Sequence, residues 1–181
     1  MTPNKLIAAT ALCAAMFSGC STPSTLPYEE PSTTTTSFSL PQAVGPTILT
    51  ITGDTPHADS NYEVRVDQAM LDAIGNEQIV VHEPFVDKSL SFSGVSVDSF
   101  LGSLGIAPDT TLVWKALDGY EITYTRSELA EANAFLATRQ DNQLIPIEAG
   151  GPLRVVFPEN GGSISANGSA WIWSISEIVA G

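Results

Sequence analysis

The 181-residue chain is poor in basic side chains and in cysteine. Seven Lys and Arg stand against 20 Asp and Glu, which gives a formal net charge of −13. Proteins that bind nucleic acid cluster Lys and Arg against phosphate, so this balance excludes nucleic acid from the expected partners. Two cysteines are too few for a disulfide framework or a four-thiolate zinc site. The 43% of hydrophobic residues is nevertheless sufficient for a packed core.

The N-terminus has the pattern of an export signal. Lys5 precedes an uncharged run over residues 6–17, which suits a signal peptide and is too short to span a bilayer. Two small residues then precede Cys20, and this arrangement resembles the lipobox of bacterial lipoproteins. The resemblance implies cleavage before Cys20, a diacylglycerol thioether on its sulfur and acylation of the new amino group. We therefore predict a lipoprotein signal peptide over residues 1–19 and lipidation of Cys20.

The predicted processing also indicates where the protein resides. Ser21 follows Cys20, and in lipoproteins of Gram-negative bacteria this residue resembles an outer-membrane signal. We expect a cell-envelope protein that contacts the membrane through its acyl chains and faces the periplasm. Cleavage removes Lys5 and no acidic residue, which leaves six basic side chains against 20 acidic ones, a net charge of −14. Cys13 leaves with the signal peptide, so the folded part contains no free thiol.

The composition changes sharply about 46 residues into the chain. Sixteen of the 26 residues from 21 to 46 are Ser, Thr or Pro, and the apolar residues among them follow no period. Such a segment buries too little apolar surface to offset its conformational entropy. We predict a lipid-anchored, disordered tether over residues 20–46 and one folded domain over residues 47–181.

Strand patterns dominate the predicted domain. Short apolar runs and apolar–polar alternation predict strands over residues 48–52, 62–66, 78–82 and 90–92. Asp118-Gly119 predicts a hairpin between residues 112–117 and 120–125, because this dipeptide favours a tight primed turn. Asn167-Gly168 predicts a second hairpin, between residues 163–166 and 169–175, by the same reasoning. In its second strand Trp171 and Trp173 would share one face and both anchor the core.

Three short helices are indicated by their capping residues. Asp67 can cap residues 68–74, and Ser96 can cap residues 97–104. A capping box that begins at Thr125 indicates a third helix through about residue 134. Strands outnumber helices and hairpins outnumber crossovers. The predicted fold class is therefore α+β, with a mostly antiparallel sheet and a few short helices.

The sequence contains no recognisable catalytic motif. His57 and His82 share no metal-ligand spacing, and we interpret the first as part of an exposed turn and the second as a strand end. A serine nucleophile elbow, a phosphate-binding Walker loop and a dinucleotide-binding fingerprint are all absent from the sequence. The residues alone therefore indicate no catalytic site and no metal site.

One cluster, Gly150-Gly151-Pro152 followed by Arg154, allows two interpretations. The glycines would permit close approach of a ligand to the backbone, and Arg154 would hold a phosphate group bidentately. Alternatively, the glycines and the proline only turn the chain into a buried strand, and Arg154 pairs with a carboxylate.

This cluster also resembles a known family. Residues 150–158 resemble the Gly-Gly-Pro-hydrophobic-Arg strand of the sulfite-oxidase-type molybdopterin-binding domain. Four further segments resemble the family's sequence in the same order: residues 93–101, 118–120, 136–147 and 171–175. The resemblance implies that family's fold and oxygen-atom transfer or reduction at a molybdenum centre, held by the pterin dithiolene and one protein cysteine. It also implies cofactor-binding roles for Arg154, Gly150 and Gly151.

The chain departs from the family at the metal ligand. The ligand cysteine would fall near residues 80–84, which read Val-Val-His-Glu-Pro, and residues 21–181 contain no cysteine. Ala149 stands where the family often has a histidine, and Ala170 where a basic residue is common. We therefore expect no bound cofactor and no molybdenum chemistry. The domain is then a binding module for an envelope protein partner or a small ligand.

Two alternatives remain open at this point. The first is a periplasmic molybdopterin-dependent oxidoreductase in which His82 or solvent replaces the cysteine as metal ligand. The second is a structural envelope lipoprotein that binds no ligand. If the family's pterin pocket is filled instead by side chains such as Phe85 or Trp114, a cofactor is excluded.

Overall fold

The computed structural model describes residue 40, residues 42–59 and residues 63–181. The predicted signal peptide, the predicted lipid anchor Cys20 and most of the predicted tether lie outside these residues. In chain order the strands are β1 (Leu49–Gly53), β2 (Glu63–Val66), β3 (Glu77–Glu83), β4 (Lys88–Ser96), β5 (Thr111–Ala116), β6 (Glu121–Thr125), β7 (Phe135–Gln140), β8 (Gln143–Leu144), β9 (Arg154–Val156) and β10 (Ile175–Ala180). The helices are α1 (Gln68–Ile74), α2 (Val97–Ser103), α3 (Arg126–Glu131) and α4 (Gly162–Ser165).

The strands form two five-stranded sheets. The first has the order β2-β1-β10-β5-β6, and the second has the order β3-β4-β7-β8 with β9 also paired to β7. Every described pair is antiparallel except β1 with β10, which run parallel. The predicted α+β class with a mostly antiparallel sheet is therefore confirmed.

Local sequence signals account for most of these elements. The Asp118-Gly119 hairpin joins β5 to β6 as predicted, with Lys115 opposite Glu121. The side chains of Asp67, Ser96 and Thr125 cap α1, α2 and α3, and the Thr125 capping box is complete. Helix α3 ends at Glu131 rather than near residue 134. Asn133 has φ +52°, in the left-handed region, which ends the helix before Phe135 begins β7.

The predicted second hairpin is wrong. Residues 162–170 instead form α4 and a 3-10 turn over Gly168–Ala170. The Asn167 side chain accepts a hydrogen bond from the Ser169 amide at 3.1 Å, so it starts this turn instead of a strand reversal. The closing strand β10 begins only at Ile175. Trp171 is buried as predicted, but Trp173 is 36% exposed and is not a core anchor.

The core is one cluster of buried hydrophobic side chains. It draws on both sheets and on α1, α2 and α3, and its largest fully buried members are Trp114, Phe92, Phe100 and Phe157. Asp67 connects this core to the preceding segment, because its carboxylate accepts hydrogen bonds from the Val44 and Gly45 amides at 2.7 and 2.6 Å. In the described part of the chain, no helix has the length and hydropathy of a membrane span.

Candidate functional site

The sequence-predicted site residue Arg154 lies in a buried ion pair. Arg154 is the first residue of β9 and is 4% exposed, and Glu83 is the last residue of β3 and is 1% exposed. The Nη2 group of Arg154 donates to Oε1 of Glu83 at 3.3 Å. The two residues are 71 positions apart in sequence, and strands β4 and β7 lie between β3 and β9 in the sheet.

Glu83 also organises the turn that follows it. Its second carboxylate oxygen accepts hydrogen bonds from the Phe85 and Val86 amides at 3.1 and 2.8 Å. Pro84 lies between Glu83 and these donors and has no N–H of its own to be satisfied. Both oxygens of the buried carboxylate therefore have partners, one in the turn and one on Arg154.

The guanidinium of Arg154 lies against aromatic side chains. Its central carbon lies 4.0 Å from the Trp173 ring centroid and 5.5 Å from the Phe92 ring centroid. Nη1 donates to the Gln140 side chain at 3.4 Å, and the buried Nε has no hydrogen-bond partner. Burial lowers the pKa of Arg154, and the Glu83 carboxylate opposes that shift. An arginine side chain is not deprotonated in proteins, so Arg154 stays a cation and the pair is ionic.

Gly150 and Gly151 are required by the packing of the chain itself. Gly150 has φ +85° and ends the 3-10 turn over Ile147–Ala149; a Cβ on it would lie 3.1 Å from the Trp173 ring. A Cβ on Gly151 would lie 1.8 Å from the Ile145 carbonyl oxygen. The bond that follows, Gly151-Pro152, is cis. Close approach does occur here as the sequence suggested, but it is an approach to other parts of this chain.

Two cavities adjoin the pair, and Trp173 lines both. Gly150, Arg154 and Glu83 line one of about 420 Å³, so the structure brings two of the three predicted cofactor-binding residues together. Gly151 does not line it. The other cavity, of about 360 Å³, is lined by Phe85, Ala116, Asp118, Tyr120, Gly168, Ser169, Trp171 and Trp173. Sequence reasoning missed Glu83, Asp118 and Tyr120 as site residues.

Neither histidine lines either of these two cavities. His57 is exposed, as predicted. His82 is at the end of β3, and its Nε2 lies 3.0 Å from Asp87 Oδ1, with both side chains exposed. Within residues 42–59 and 63–181, no group of three or more His, Cys, Asp or Glu side chains is placed to hold a metal ion.

The chain matches a family model over the segment that holds the ion pair. The model describes the oxidoreductase molybdopterin binding domain and matches residues 81–177, which include both Glu83 and Arg154. The chain belongs to this family. The resemblance inferred from the glycine–proline–arginine strand is thereby confirmed.

A solved structure shows the same fold. The sulfane dehydrogenase SoxCD from Paracoccus pantotrophus is similar with a TM-score of 0.55 and 13% sequence identity. The similarity covers 73% of this chain and 37% of the SoxCD chain, so this protein spans little more than a third of that relative. No curated protein matches the chain. At this level of identity the likeness concerns the fold.

The residues at the pair do not fit the family's cofactor. Molybdopterin presents an anionic phosphate and an anionic dithiolene, and it needs cations or amide donors. The arginine that the resemblance assigns to it is already bound to a buried carboxylate. An anion bound at Arg154 would either lie beside the Glu83 carboxylate or displace it from the arginine. In the first case two negative charges would share one buried cation, and in the second the Glu83 carboxylate would be buried without a counter-ion. Residues 80–84 supply no thiol for the metal.

Proposed function

We propose that this protein is a lipid-anchored binding protein of the cell envelope that has the molybdopterin-domain fold without molybdenum chemistry. The observation that carries the proposal is the Glu83–Arg154 ion pair, with Glu83 1% and Arg154 4% exposed. The pair uses the one arginine that the family resemblance assigns to the cofactor. Nor does any cysteine occur in residues 21–181 to bind the metal.

The charge of the domain supports the same proposal. Six basic side chains remain against 20 acidic ones after residue 19, and five of the six form ion pairs with acids. These pairs join Arg154 to Glu83, Arg139 to Asp72, Arg126 to Asp98, Lys115 to Glu177 and Arg65 to Glu63. An anionic cofactor would therefore find few uncommitted cations.

The role we assign instead is recognition of a small ligand or an envelope protein partner. The two cavities that Trp173 lines are within the size range of small-molecule sites. The lipobox at Cys20 supports attachment to the outer membrane with the domain in the periplasm. Val44 and Gly45, at the end of the predicted tether over residues 20–46, are hydrogen-bonded to Asp67, and the residues before them would let the domain range about 25 Å from its anchor.

The absence of molybdenum is tested on full-length protein purified from membranes of its native cells. Molybdenum is measured by mass spectrometry and pterin by fluorescence after oxidation, with a molybdoenzyme from the same cells as the positive control. We expect neither group in this protein while the control contains both. Stoichiometric molybdenum would overturn the proposal and favour an oxidoreductase with non-cysteine ligation, for instance through His82.

The anchor is tested separately by detergent phase partition. Wild-type protein should enter the detergent phase, and Cys20→Ala should move to the aqueous phase. Cys13→Ala, in the part of the signal peptide that cleavage removes, is the matched control and should behave like wild type. A Cys20→Ala protein that stays in the detergent phase would disprove lipidation at this residue.

A further inference from the structure

The cavity of about 360 Å³ beside the ion pair has an unusual lining. Four aromatic side chains, Phe85, Tyr120, Trp171 and Trp173, line it together with Asp118. We name this set the aromatic cage. We propose that the aromatic cage binds a small soluble organic cation of the quaternary-ammonium class. This inference rests on the proposed function, because it names the ligand class of the binding module.

The rings of the cage are held in place by contacts within the chain. The Tyr120 hydroxyl donates to the Ser169 carbonyl at 2.8 Å, which joins the β5–β6 hairpin to the segment after α4. Phe85 packs edge-on against Trp173, with centroids 5.3 Å apart. The Trp171 indole N–H donates to the Ser165 carbonyl at 3.1 Å. A ligand therefore meets a site that is already formed and loses little free energy in ordering it.

The electrostatics of the aromatic cage favour a cation. The face of each aromatic ring carries partial negative charge, and cations bind over such faces. Asp118 is exposed and its Oδ1 accepts the Tyr120 amide at 3.0 Å; among the described side chains it forms no salt bridge. Its negative charge is therefore available at the cage.

The basic side chains near the cage are already paired with acids. Arg154 contacts Trp173 but is bound to Glu83, and Lys115, next to Ala116 in the lining of the same cavity, pairs with Glu177 at 3.2 Å. The net charge of −14 after residue 19 attracts cations over a longer range. An anion would meet Asp118 and this negative field, and no basic side chain lines this cavity; Lys88, which is in no ion pair among the described residues, lines the other one.

The lining of the cavity also indicates which kind of cation would bind there. The lining is mainly aromatic, with one carboxylate as its charged group. A methylated ammonium fits such a lining, because it presents an apolar surface and a positive charge together. A strongly hydrated primary ammonium would lose its water for few hydrogen-bond acceptors, so methylated ammonium ions are the expected ligands.

The test compares choline with its uncharged isostere 3,3-dimethylbutan-1-ol. Full-length protein is titrated with each compound at low ionic strength by isothermal calorimetry, with tryptophan fluorescence as a second readout. Because the two compounds share shape and size, their difference reports the positive charge. We expect choline to bind about tenfold more tightly than the alcohol. Equal affinities, or no binding of choline, would overturn the proposal.

Two variants assign the effect to the aromatic cage. Phe85→Leu keeps apolar volume but removes the ring, and Asp118→Asn keeps the turn and the acceptor for Tyr120 but removes the charge. Each should weaken choline binding about three- to tenfold and reduce the ratio of the choline affinity to the alcohol affinity. Asp141→Asn, in an exposed turn outside the cage, makes the same change in net charge and should bind choline like wild type. Equal weakening by Asp118→Asn and Asp141→Asn would contradict a local site.

The choline titration and the molybdenum measurement test different proposals, so one proposal can be overturned without the other. Molybdenum-free protein that does not distinguish choline from the alcohol overturns the cation site and leaves the proposed function intact. Stoichiometric molybdenum overturns the proposed function whatever the titrations give.

Discussion

The guanidinium of Arg154 lies 4.0 Å from the ring centroid of Trp173, so an indole covers one member of a buried ion pair. Trp173 is itself 36% exposed, and it lines both the cavity that contains the pair and the aromatic cavity. The ring thus helps to exclude water from Arg154 and Glu83, and it presents aromatic surface to the ligand site proposed above. One residue connects the buried ion pair with the cavity that we expect to bind a ligand.

Removal of the Glu83 charge should strongly destabilise the domain. Glu83→Gln keeps a side-chain acceptor for the Phe85 and Val86 amides but leaves Arg154 buried without a counter-ion. Breaking one side of a buried pair costs about 3–5 kcal/mol of unfolding free energy. Urea denaturation followed by far-UV circular dichroism measures it. The control is Glu148→Gln, at an exposed residue that lines the 420 Å³ cavity together with Glu83, and it should change the unfolding free energy by less than about 0.5 kcal/mol. Similar values for both variants would contradict a structural ion pair.

Replacement of both Glu83 and Arg154 should lower the unfolding free energy much less than replacement of either residue alone. Glu83→Leu and Arg154→Met each leave an unpaired buried charge, whereas the double variant leaves none. We expect a coupling free energy of at least about 2 kcal/mol in the double-mutant cycle. Urea denaturation of the wild type, the two single variants and the double variant measures this coupling free energy. Additive effects would show that the two charges contribute independently.

Asp67 should make stability depend on pH in the acid range. Amide donors, Gly45 first and Met70 next, lower the pKa of the Asp67 carboxyl. Because the folded pKa lies below the unfolded one, this contribution is fully present above the unfolded pKa of about 3.9 and is lost as pH falls through the folded pKa. Asp67→Asn should therefore be about 1–2 kcal/mol less stable than wild type at pH 6.

The difference between wild type and Asp67→Asn should shrink as the pH is lowered from 6 to 3. Thermal or urea denaturation at several pH values measures it. Asp141→Asn, at an exposed turn, serves as the control and should stay near wild type at every pH. A difference that stays constant down to pH 3 would show that the carboxylate charge of Asp67 is not what stabilises the fold.

Gly151 should not tolerate a side chain, whether or not any ligand binds. A Cβ there would lie 1.8 Å from the Ile145 carbonyl oxygen, so Gly151→Ala must move backbone and should cost about 3 kcal/mol or more. Gly75→Ala is the matched control, because its Cβ would meet only Val95 at 3.4 Å in extended backbone with φ 179°. Unfolding free energies compare the two. A stable Gly151→Ala protein would revive the interpretation of this glycine as a point of cofactor approach.

Predictions from the sequence succeeded where the determining contacts are local. The caps at Asp67, Ser96 and Thr125 each act on an amide three residues later, so the pattern and the interaction lie in the same short segment. The Asp118-Gly119 turn is equally local. The same kind of reasoning failed at Asn167-Gly168, because the asparagine side chain caps a 3-10 turn there instead of adopting a hairpin conformation.

The candidate site could be predicted only in part. The glycine–proline–arginine strand and the family were evident from residues 150–158, and the loss of the ligand cysteine was evident from residues 80–84. The partner of Arg154 was not evident from the sequence, because many carboxylates in the chain could pair with an arginine. Only the tertiary structure, in which the end of β3 meets the start of β9 although β4 and β7 separate these strands in the sheet, selects Glu83.

The sequence by itself therefore determined the fold class, the helix caps, one hairpin and the absence of a thiol after Cys20, since each follows from local chemistry or composition. The tertiary structure decided the ion pair, the position of Trp173 against Arg154 and the aromatic cage. These features join residues as far apart as Glu83 and Arg154, and the aromatic rings of the cage come from three separate segments. Such contacts depend on how strands are ordered within a sheet, and sequence periodicity reports which face a side chain occupies but not which distant segment it meets.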